Sequence, residues 1–339
     1  MAGLLSRNSA SFELESRFAV GRERFQYRVG IAIAPPTGAL TLADEYLAAL
    51  SARGEIKGNA IIEKHEGGRK YMIRRSGKPA RPKEESTDIN FSILSDVRYS
   101  GSLYRPIEKC RQEISGWRTY YLDPRTAMRE AKPPSDVRDI GLLGNNLGPF
   151  LYRLQGSDMK KHFDAIRRTM RALIPTVENV TVDLDKKRGV IDVGIRQEGI
   201  DFSARVVSEG TLRVLALCTL ALNPWCGSLV SFEEPENGVH PRRLELIADL
   251  LCNLALSRNV QVIVNTHSPL FCSAVLKRKE QAPGDIAIMG TARRGGRTTI
   301  SPIDIPGPIF TDSEISRALS AGHEDGLFES LLMRVLVDA

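Results

Sequence analysis

Two glutamates stand side by side after a short apolar segment, and they are the first candidates for chemistry. Glu233 and Glu234 follow the run GSLVSF, and Pro235 comes directly after them. A carboxylate at a strand end can hold Mg²⁺ or its water shell, and a neighbouring carboxylate can orient or deprotonate an attacking water. Because successive strand residues point in different directions, the two acids need not compete for one position. The pair therefore suits hydrolysis of a magnesium nucleotide.

Two further polar segments could act with this pair. His267 directly follows the apolar run VIVNT, and a helical pattern begins with Ser208, Glu209, Gly210 and Thr211. A histidine at a strand end could contact a terminal phosphate, and a helix N-terminus offers free N–H groups and the positive end of its dipole. Taken singly, each feature is typical of a solvated loop or a helix cap. Their ordered occurrence at strand and helix ends favours a nucleotide site.

The elements around these residues alternate between helix and strand from Ser208 onwards. The pattern predicts helices in TLRVLALCTLAL, HPRRLELIADLLCNLAL and SPLFCSAVL, and strands in GSLVSF, VQVIVNTH and GDIAIMG. Such alternation indicates an α/β fold with a mostly parallel sheet covered by helices. Ligands of these folds bind at the carboxyl ends of the strands, which is where the acids and the histidine lie. The segments EISRALSAG and LFESLLMRVL are predicted to close the chain as helices.

The sequence before Ser208 has a different character. Residues 12–34 alternate as in an antiparallel β-meander, which continues to a hairpin turn at Gly67 and Gly68. Residues 147–154 and 159–175 have helical spacing, and three strand-like runs fill 177–207. We therefore predict three parts, namely a β-rich part at 1–89, an inserted mixed and helical lobe at 90–176, and the main α/β core at 177–339.

Composition limits the class of protein. The longest apolar run, Val214 to Leu222, is too short to span a membrane, and the N-terminus lacks the apolar core of a signal peptide. Five cysteines without a CxxC pair argue against a zinc site or a disulfide framework. We therefore expect a cytoplasmic protein without membrane association. The net charge of +6 is compatible with an acidic or nucleic-acid partner but does not establish one.

Three motifs together resemble a known family. VVSEGTLRVLAL, SLVSFEEPENGVHP and VIVNTHSP look like the signature motif, the Walker B strand with its D-loop, and the switch histidine of ABC-type ATPases. The forms SEGTLR and EEPENGVHP resemble the RecF-like, SMC-related branch of bacterial AAA and ABC ATPases, which includes OLD-like and phage-defence proteins. The resemblance is specific over 202–271. It is weaker over 90–200, where YYLDPRTAMRE and LGPFLYRL look like that group's inserted lobe.

The resemblance implies a role for each motif residue. Glu233 would be the acid associated with Mg²⁺, Glu234 the catalytic base and His267 the switch. The D-loop would run from Glu236 to His240, and its nucleotide-binding members would be Asn237, Gly238 and His240. The signature of Ser208, Glu209, Gly210 and Thr211 would cap an ATP molecule bound on a partner subunit. The implied function is hydrolysis of ATP with Mg²⁺ in a head-to-tail dimer that drives a partner or a DNA transaction.

One motif of this family does not occur in the printed sequence, namely the Walker A loop G-x-x-x-x-G-K-[ST], which cradles phosphates. RRSGKPA has Met72 in place of the first glycine and Pro79 after the lysine, and GTARRGGRTT has Gly296 in place of the lysine. The reading frame could begin upstream, another chain could supply the loop, or the member could be degenerate. The intact acid pair and histidine favour an upstream start. We then expect an exposed apolar edge beside SLVSF, and hence self-association.

Other functions remain as alternatives. The chain could be a regulatory subunit that presents its signature to a partner bearing a P-loop. It could also be a DNA-binding module, because residues 69–83 contain seven Lys and Arg residues and no acid; a solvated loop explains this segment at least as well. Arg125 or Arg129 near a phosphate is a further, weaker expectation.

Overall fold

The structure is a computed structural model that describes residues 11–33, 38–65, 68, 70–77, 81–86 and 90–302. Contacts divide the chain into two compact units, Met1–Gly116 and Trp117–Ala339. The three-part division at 89 and 176 stays a prediction. The two closing helices expected at EISRALSAG and LFESLLMRVL lie outside the described residues, as does Gly67 of the expected hairpin turn.

The first unit is built on a six-stranded sheet whose neighbours are antiparallel and follow chain order, with one helix after it. These elements are β1 Ser11–Val20, β2 Glu23–Ile33, β3 Leu40–Leu50, β4 Ile62–Lys64, β5 Lys70–Ile73, β6 Lys83–Ser86 and α1 Arg105–Ser115. The β-meander predicted from alternating apolar residues is therefore confirmed. Each strand of this sheet pairs with its neighbour in sequence, so short connections are sufficient and no crossover is needed.

A buried carboxylate fixes the loop that follows β6 onto this sheet. Glu45 of β3 is fully buried, and it accepts hydrogen bonds from the Tyr27 hydroxyl at 3.0 Å and the Ser92 hydroxyl at 2.7 Å. The backbone N–H groups of Ile93 and Leu94 also donate to it, at 2.6 and 2.9 Å. Four donors satisfy a charge that would otherwise be costly to bury. Glu45 is thus a structural residue of the first unit.

The second unit contains helices and strands in alternation. In chain order they are β7 Arg118–Tyr120, α2 Leu147–Gln155, α3 Lys160–Leu173, β8 Val177–Asp185, β9 Val190–Gln197, β10 Ile200–Ser203, α4 Glu209–Ala221, β11 Leu229–Glu233, α5 Leu244–Arg258, β12 Gln261–Asn265, α6 Pro269–Gln281, β13 Met289–Arg294 and β14 Arg297–Pro302. The helix and strand order predicted over 208–276 is confirmed. β8, β9 and β10 form a separate antiparallel sheet.

The parallel sheet has the order β12, β11, β7, so the Walker B-like strand lies in the middle. The expectation of an exposed apolar edge beside SLVSF is wrong, because β7 pairs along that side of β11. The register places Tyr120 opposite Phe232, and their rings stack with centroids 5.6 Å apart. β7 lies in the segment that was predicted as an inserted lobe. Its three residues are too few for hydrophobic periodicity to indicate a strand.

The predicted strand GDIAIMG is also wrong. Only Met289 and Gly290 of this segment are in a strand, and that strand, β13, pairs antiparallel with β14 in a separate hairpin. Gly295 and Gly296 make the turn with positive φ values of 57° and 80°. Two glycines that allow a tight turn favour local pairing over a long-range parallel partner. The hairpin therefore does not extend the sheet that carries the acids.

The helix α4 lies in the core of the second unit. Its residues from Thr211 to Ala221 are all buried, which explains why the segment is apolar on every face rather than on one stripe. A buried helix of this kind has little freedom to move without disturbing its neighbours. Its N-terminus, which follows the Ser208 cap, is therefore held in place by the packing of the helix. In the described part of the chain, no helix has both the length and the apolar character needed to cross a bilayer.

Candidate active site

The two adjacent glutamates have different backbone conformations. Glu233 is the last residue of β11 and pairs with Asn265 of β12, whose side-chain amide donates to Glu233 Oε1 at 2.9 Å. Glu234 adopts a left-handed conformation with φ of 43°, while its N–H still donates to the Asn265 carbonyl at 2.8 Å. A positive φ is uncommon and strained for a residue with a side chain, and such strain clusters at functional sites. The backbone turn gives the two carboxylates different surroundings.

Glu234 lies beside the predicted switch histidine. His267 Nε2 is 3.9 Å from Glu234 Oε1, and the Asn237 side-chain amide donates to Glu234 Oε2 at 3.4 Å. The His267 side chain is 82% exposed. A separation of 3.9 Å is too long for a direct hydrogen bond, and it suits a shared contact with a water or a ligand oxygen. The structure thus brings together the predicted base, the histidine and a D-loop amide.

A buried acid connects the D-loop with the end of β12. Glu236 is only 8% exposed, and the Thr266 hydroxyl donates to its Oε1. Thr266 Oγ1 in turn accepts the N–H of Ser268 at 3.0 Å, and Ser268 caps α6 by accepting the N–H of Phe271 at 3.2 Å. His267 is therefore held between two residues with fixed partners. The sequence analysis included Glu236 in the D-loop but gave no role to Thr266.

The signature-like segment caps α4. Ser208 Oγ accepts the N–H of Thr211 at 3.2 Å and lies 2.8 Å from its hydroxyl. The cap satisfies one of the first-turn donors, namely the N–H of Thr211. Among the described residues, no acceptor is found for the N–H groups of Glu209 and Gly210. Donors at a helix N-terminus suit a phosphate. The predicted role of these four residues agrees with this geometry and stays a prediction.

The signature-like segment and the D-loop meet through their backbones. A Cβ added to Gly210 would lie 2.5 Å from the carbonyl oxygen of Gly238, which no real side chain tolerates. Gly238 itself has a φ of 72°, in the region that favours glycine. Both glycines are therefore required where they stand. The contact places the start of α4 against the loop that follows Glu234.

Beneath this contact lies an arginine that sequence reasoning missed. Arg213 of α4 is 7% exposed, and its Nη1 donates to the Glu234 carbonyl at 3.4 Å. Its Nε has no partner among the described residues, and neither does Glu236 Oε2. Burial lowers the pKa of Arg213, and the nearby carboxylates of Glu209 and Glu236 oppose this shift. A lone arginine inside TLRVLALCTLAL was the available signal, because a buried charge needs a reason.

The remaining predicted residues have local partners. His240 caps a short 3-10 turn, where its Nδ1 accepts the N–H of Arg242 at 3.3 Å. Glu209 forms an ion pair with Arg125 at 2.9 Å. The guanidinium of Arg129 donates to four backbone carbonyls, which leaves it poorly suited to the phosphate role expected for it.

The donor set fits a magnesium ion that binds together with phosphates. Among the described residues, no group of three or more His, Cys, Asp and Glu side chains could enclose a metal. Mg²⁺ usually binds through one or two carboxylates, several waters and the phosphates of its nucleotide. Glu233, at the end of β11 and oriented by Asn265, would hold the ion in this way. A complete cage of protein ligands is not needed.

Part of the basic segment at 69–83 lies in the sheet of the first unit, namely Lys70–Ile73 in β5 and Lys83 in β6. Lys70 pairs with Glu84 at 2.5 Å, and Arg74 pairs with Glu63 at 2.5 Å. Tyr71, in β5, is fully buried. Ion pairs with neighbouring acids leave less positive charge for a phosphate backbone. These contacts favour a structural explanation for the described part of the segment.

Comparisons with known proteins agree with the motifs. Residues 144–273 match the family described as "AAA domain, putative AbiEii toxin, Type IV TA system". No curated protein matches the sequence. A crystal structure of an Smc head bound to the C-terminal winged-helix domain of ScpA aligns with a TM-score of 0.50 at 13% identity, covering 90% of this chain and 78% of that one.

Two further SMC structures are similar at lower scores. The SMC head domain from Thermotoga maritima has a TM-score of 0.34 at 11% identity, covering 83% of this chain and 75% of that one. A structure from a study of ATP-driven dimerisation and DNA-stimulated activation of SMC ATPases has a TM-score of 0.34 at 16% identity, covering 47% and 95%. The fold is similar to that of the SMC head, and residues 144–273 match an AAA domain, in agreement with the resemblance of the motifs to AAA and ABC-type ATPases.

Proposed function

We propose that the chain binds and hydrolyses ATP with Mg²⁺ as an ABC-type ATPase. One observation carries the proposal: Glu234 lies 3.9 Å from His267 across neighbouring strand ends, at a strained backbone position. Strained residues beside a second polar group at the carboxyl edge of a parallel sheet are typical of catalytic sites. The match to an AAA domain over 144–273 supports the same class of activity.

Each acid has a separate task in this proposal. Glu233 holds Mg²⁺, which supplies charge stabilisation to the phosphates when bound. Glu234 orients or deprotonates the attacking water, and its contact with the Asn237 amide fixes one of its oxygens. His267, mostly exposed, reaches the terminal phosphate and responds to its loss. Hydrolysis proceeds by in-line attack, in which positioning and charge supply most of the rate.

The signature completes the site of a second subunit. Glu209 and Gly210 begin the buried helix α4, and Gly210 lies against the carbonyl of Gly238 in the D-loop that follows Glu234. We propose that two chains assemble head to tail, so that the signature of each meets ATP held by the other. The cycle of assembly and release would drive a partner or a DNA transaction, such as repair or phage defence.

The test is Mg-ATP turnover by the purified chain and by Glu234→Gln. Loss of the base should lower turnover by about 10²-fold or more, and ATP-dependent dimers should accumulate in light scattering. Glu245→Gln is a matched control, because Glu245 is an exposed acid at the start of α5, paired with Lys277 at 3.8 Å. Equal turnover in Glu234→Gln and wild type would refute the assignment of the base.

A second function rests on a different observation, the lack of a G-x-x-x-x-G-K-[ST] segment in the printed sequence. In this second function, the chain offers its signature to another subunit, which carries the phosphate loop. It would be silent alone and would raise the ATP turnover of such a subunit from its source cells. Ser208→Arg, which blocks the helix N-terminus, should abolish this stimulation, whereas Glu234→Gln should preserve it. Stimulation that needs Glu234 but not Ser208 would exclude this function.

A further inference from the structure

A compact turn follows β7 and is held by one carboxylate. Asp123 accepts the N–H groups of Arg125, Thr126 and Ala127 at 3.0, 3.1 and 3.3 Å, together with the Thr126 hydroxyl. The hydrogen bond from that hydroxyl is the main reason that the pKa of Asp123 is lowered. We name residues 123–129 the arginine turn. Its backbone is preorganised, so the side chain at its end has a fixed starting point.

Arg129 ends the arginine turn and binds the loop that precedes the signature. Its Nε donates to the carbonyl of Pro124 at 2.7 Å, within the turn itself. Its Nη1 donates to the carbonyl of Ala204 at 3.0 Å and to that of Arg205, and its Nη2 donates to the carbonyl of Val207 at 2.7 Å. One half-buried guanidinium thus satisfies three carbonyls in a four-residue loop. Carbonyls in such a loop need partners if it is to keep one conformation.

A second arginine of the same turn contacts the other side of Ser208. Arg125 Nε lies 2.9 Å from Glu209 Oε1, while Arg129 holds the carbonyl of Val207. Residues directly before and directly after Ser208 are therefore both bound by the arginine turn. The Arg125 pair is exposed, so its own contribution to stability is small. The contact nevertheless favours one placement of the first turn of α4.

We propose that Arg129 is a positioning residue for the signature, setting where Ser208 and the free N–H groups of α4 lie. This inference rests on the proposed function, in which those groups meet a nucleotide on a second subunit. The carbonyl of Val207 is covalently joined to the nitrogen of Ser208, so a shift of the loop moves the cap directly. An error of about 1 Å at such a position can cost about 10²-fold in rate.

The arginine turn also connects the signature to the sheet that carries the acids. β7 pairs with β11 through Tyr120 and Phe232, and the chain continues from β7 into Asp123. Beyond the strand, the N–H of Asp123 donates to the Leu143 carbonyl at 3.0 Å, which fixes the path. Glu233 at the end of β11 and Ser208 at the start of α4 are thus both held by β7 and the arginine turn that follows it. The spacing between them depends on Arg129.

Lysine cannot replace this arginine. The planar guanidinium spreads its donors over a fork, which here reaches Pro124 on one side and Val207 on the other. An ammonium group is a single point with three donors and cannot span both. Arg129→Lys keeps the charge and most of the length but loses the bridge. Any effect of this variant therefore reports on geometry rather than on charge.

Arg258 of α5 offers a matched control, because it binds backbone carbonyls at the opposite end of α4. Its Nη1 donates to the Ala221 carbonyl at 3.0 Å, and its Nη2 donates to the Asn223 carbonyl at 2.7 Å. Arg258→Lys removes comparable hydrogen bonds from the C-terminus of α4 without touching the signature. Both variants should lower the thermal midpoint. Only Arg129→Lys should speed amide hydrogen exchange in residues 203–211, by about tenfold for the loss of one supporting contact.

The functional measurement is ATP-dependent dimerisation by light scattering in the Glu234→Gln background, where hydrolysis is blocked. Arg129→Lys should raise the ATP concentration for half-maximal dimer about tenfold, while Arg258→Lys should leave it unchanged. Equal hydrogen-exchange rates at residues 203–211 in both lysine variants would overturn the positioning role of Arg129. Faster exchange with an unchanged ATP requirement would make Arg129 merely structural. A Glu234→Gln chain that neither binds ATP nor assembles would defeat the proposed function, and the positioning role with it.

A second variant covers the case in which Arg129→Lys does not fold. Asp123→Asn keeps the size of the side chain but removes one of the acceptor oxygens that shape the arginine turn. It should loosen the support of Arg129 while leaving the guanidinium in place. The same two readouts should move in the same direction by a smaller factor. An ATP requirement equal to that of the parent, despite faster exchange at 203–211, would again overturn the positioning role.

Discussion

The contact between Gly210 and Gly238 leads to a sharp prediction for Gly210→Ala. The new methyl group would lie 2.5 Å from the Gly238 carbonyl oxygen, whereas ordinary contact begins near 3.4 Å. Alanine in a helix gains up to about 1 kcal/mol over glycine, but overpacking against backbone costs about 1–3 kcal/mol. The clash involves a main-chain atom that cannot rotate away. We therefore expect a net loss of about 0–2 kcal/mol where propensity alone predicts a gain.

Gly148→Ala isolates the propensity effect. Gly148 is the second residue of α2, just as Gly210 is the second residue of α4. A Cβ at Gly148 would meet Ile191 Cγ2 and Val193 Cγ2 at 3.5 Å, which is ordinary contact. This variant should therefore be as stable as wild type or more stable by up to about 1 kcal/mol. The two substitutions share chemistry and helix position and differ only in what the methyl group meets.

Urea unfolding of the three proteins measures the difference, with equal m-values as the sign that only stability has changed. Gly210→Ala should fall below wild type and Gly148→Ala should not. If Gly210→Ala gains stability alongside Gly148→Ala, the close approach of α4 to the D-loop does not exist. ATP turnover gives a second check, because opening the contact by about 1 Å should lower activity by more than stability alone explains.

Four further outcomes follow from the same site. His267→Ala should change the unfolding free energy by no more than about 0.5 kcal/mol, since the side chain is largely exposed, and yet abolish turnover in a phosphate-release assay. Ser208→Ala should cost about 1 kcal/mol in urea unfolding through loss of the cap. A hydroxyl and three backbone N–H groups lower the pKa of Asp123, so its stabilisation is present above its unfolded pKa and lost as pH falls through the folded one; Asp123→Asn should flatten the fall of unfolding free energy in acid. A double-mutant cycle of Arg213→Met and Glu236→Gln should give a coupling of about 0.5–3 kcal/mol if the two buried groups act together, and additive effects would contradict this.

The α/β part of the fold could be predicted from residue patterns because its strands are continuous apolar runs with clear ends. SLVSF and VIVN are short apolar runs, and each is followed by polar residues at the sheet edge. The burial typical of such runs holds for β11, whereas β12 is only partly buried and its Ile263 is 46% exposed. The β-meander was equally visible from alternation. β7 was not, because RTY carries no periodic signal and its place is set by its partner β11. Short strands of this kind depend on tertiary pairing.

The strand predicted at GDIAIMG is wrong for the opposite reason. Its composition resembles that of the true strands, but a pair of glycines follows at Gly295 and Gly296. A chain that can turn back at once pairs with itself before it reaches a distant sheet, because closing a short loop costs less entropy. The same two glycines also occur in a partial match to the phosphate loop, but in the structure they form a hairpin turn. The residues at the end of this segment therefore pair in the local β13–β14 hairpin and not in the parallel sheet.

The adjacent carboxylates illustrate what spacing can and cannot specify. Pleating was expected to separate Glu233 from Glu234, and the structure does so by a stronger device, a left-handed residue at the strand end. Glu233 then accepts a hydrogen bond from the side-chain amide of Asn265 in β12, while Glu234 lies near His267. Two like charges are tolerated because each has its own polar partner. The residue types therefore indicate the chemistry, and in the proposed function the backbone turn separates a metal-binding acid from a base.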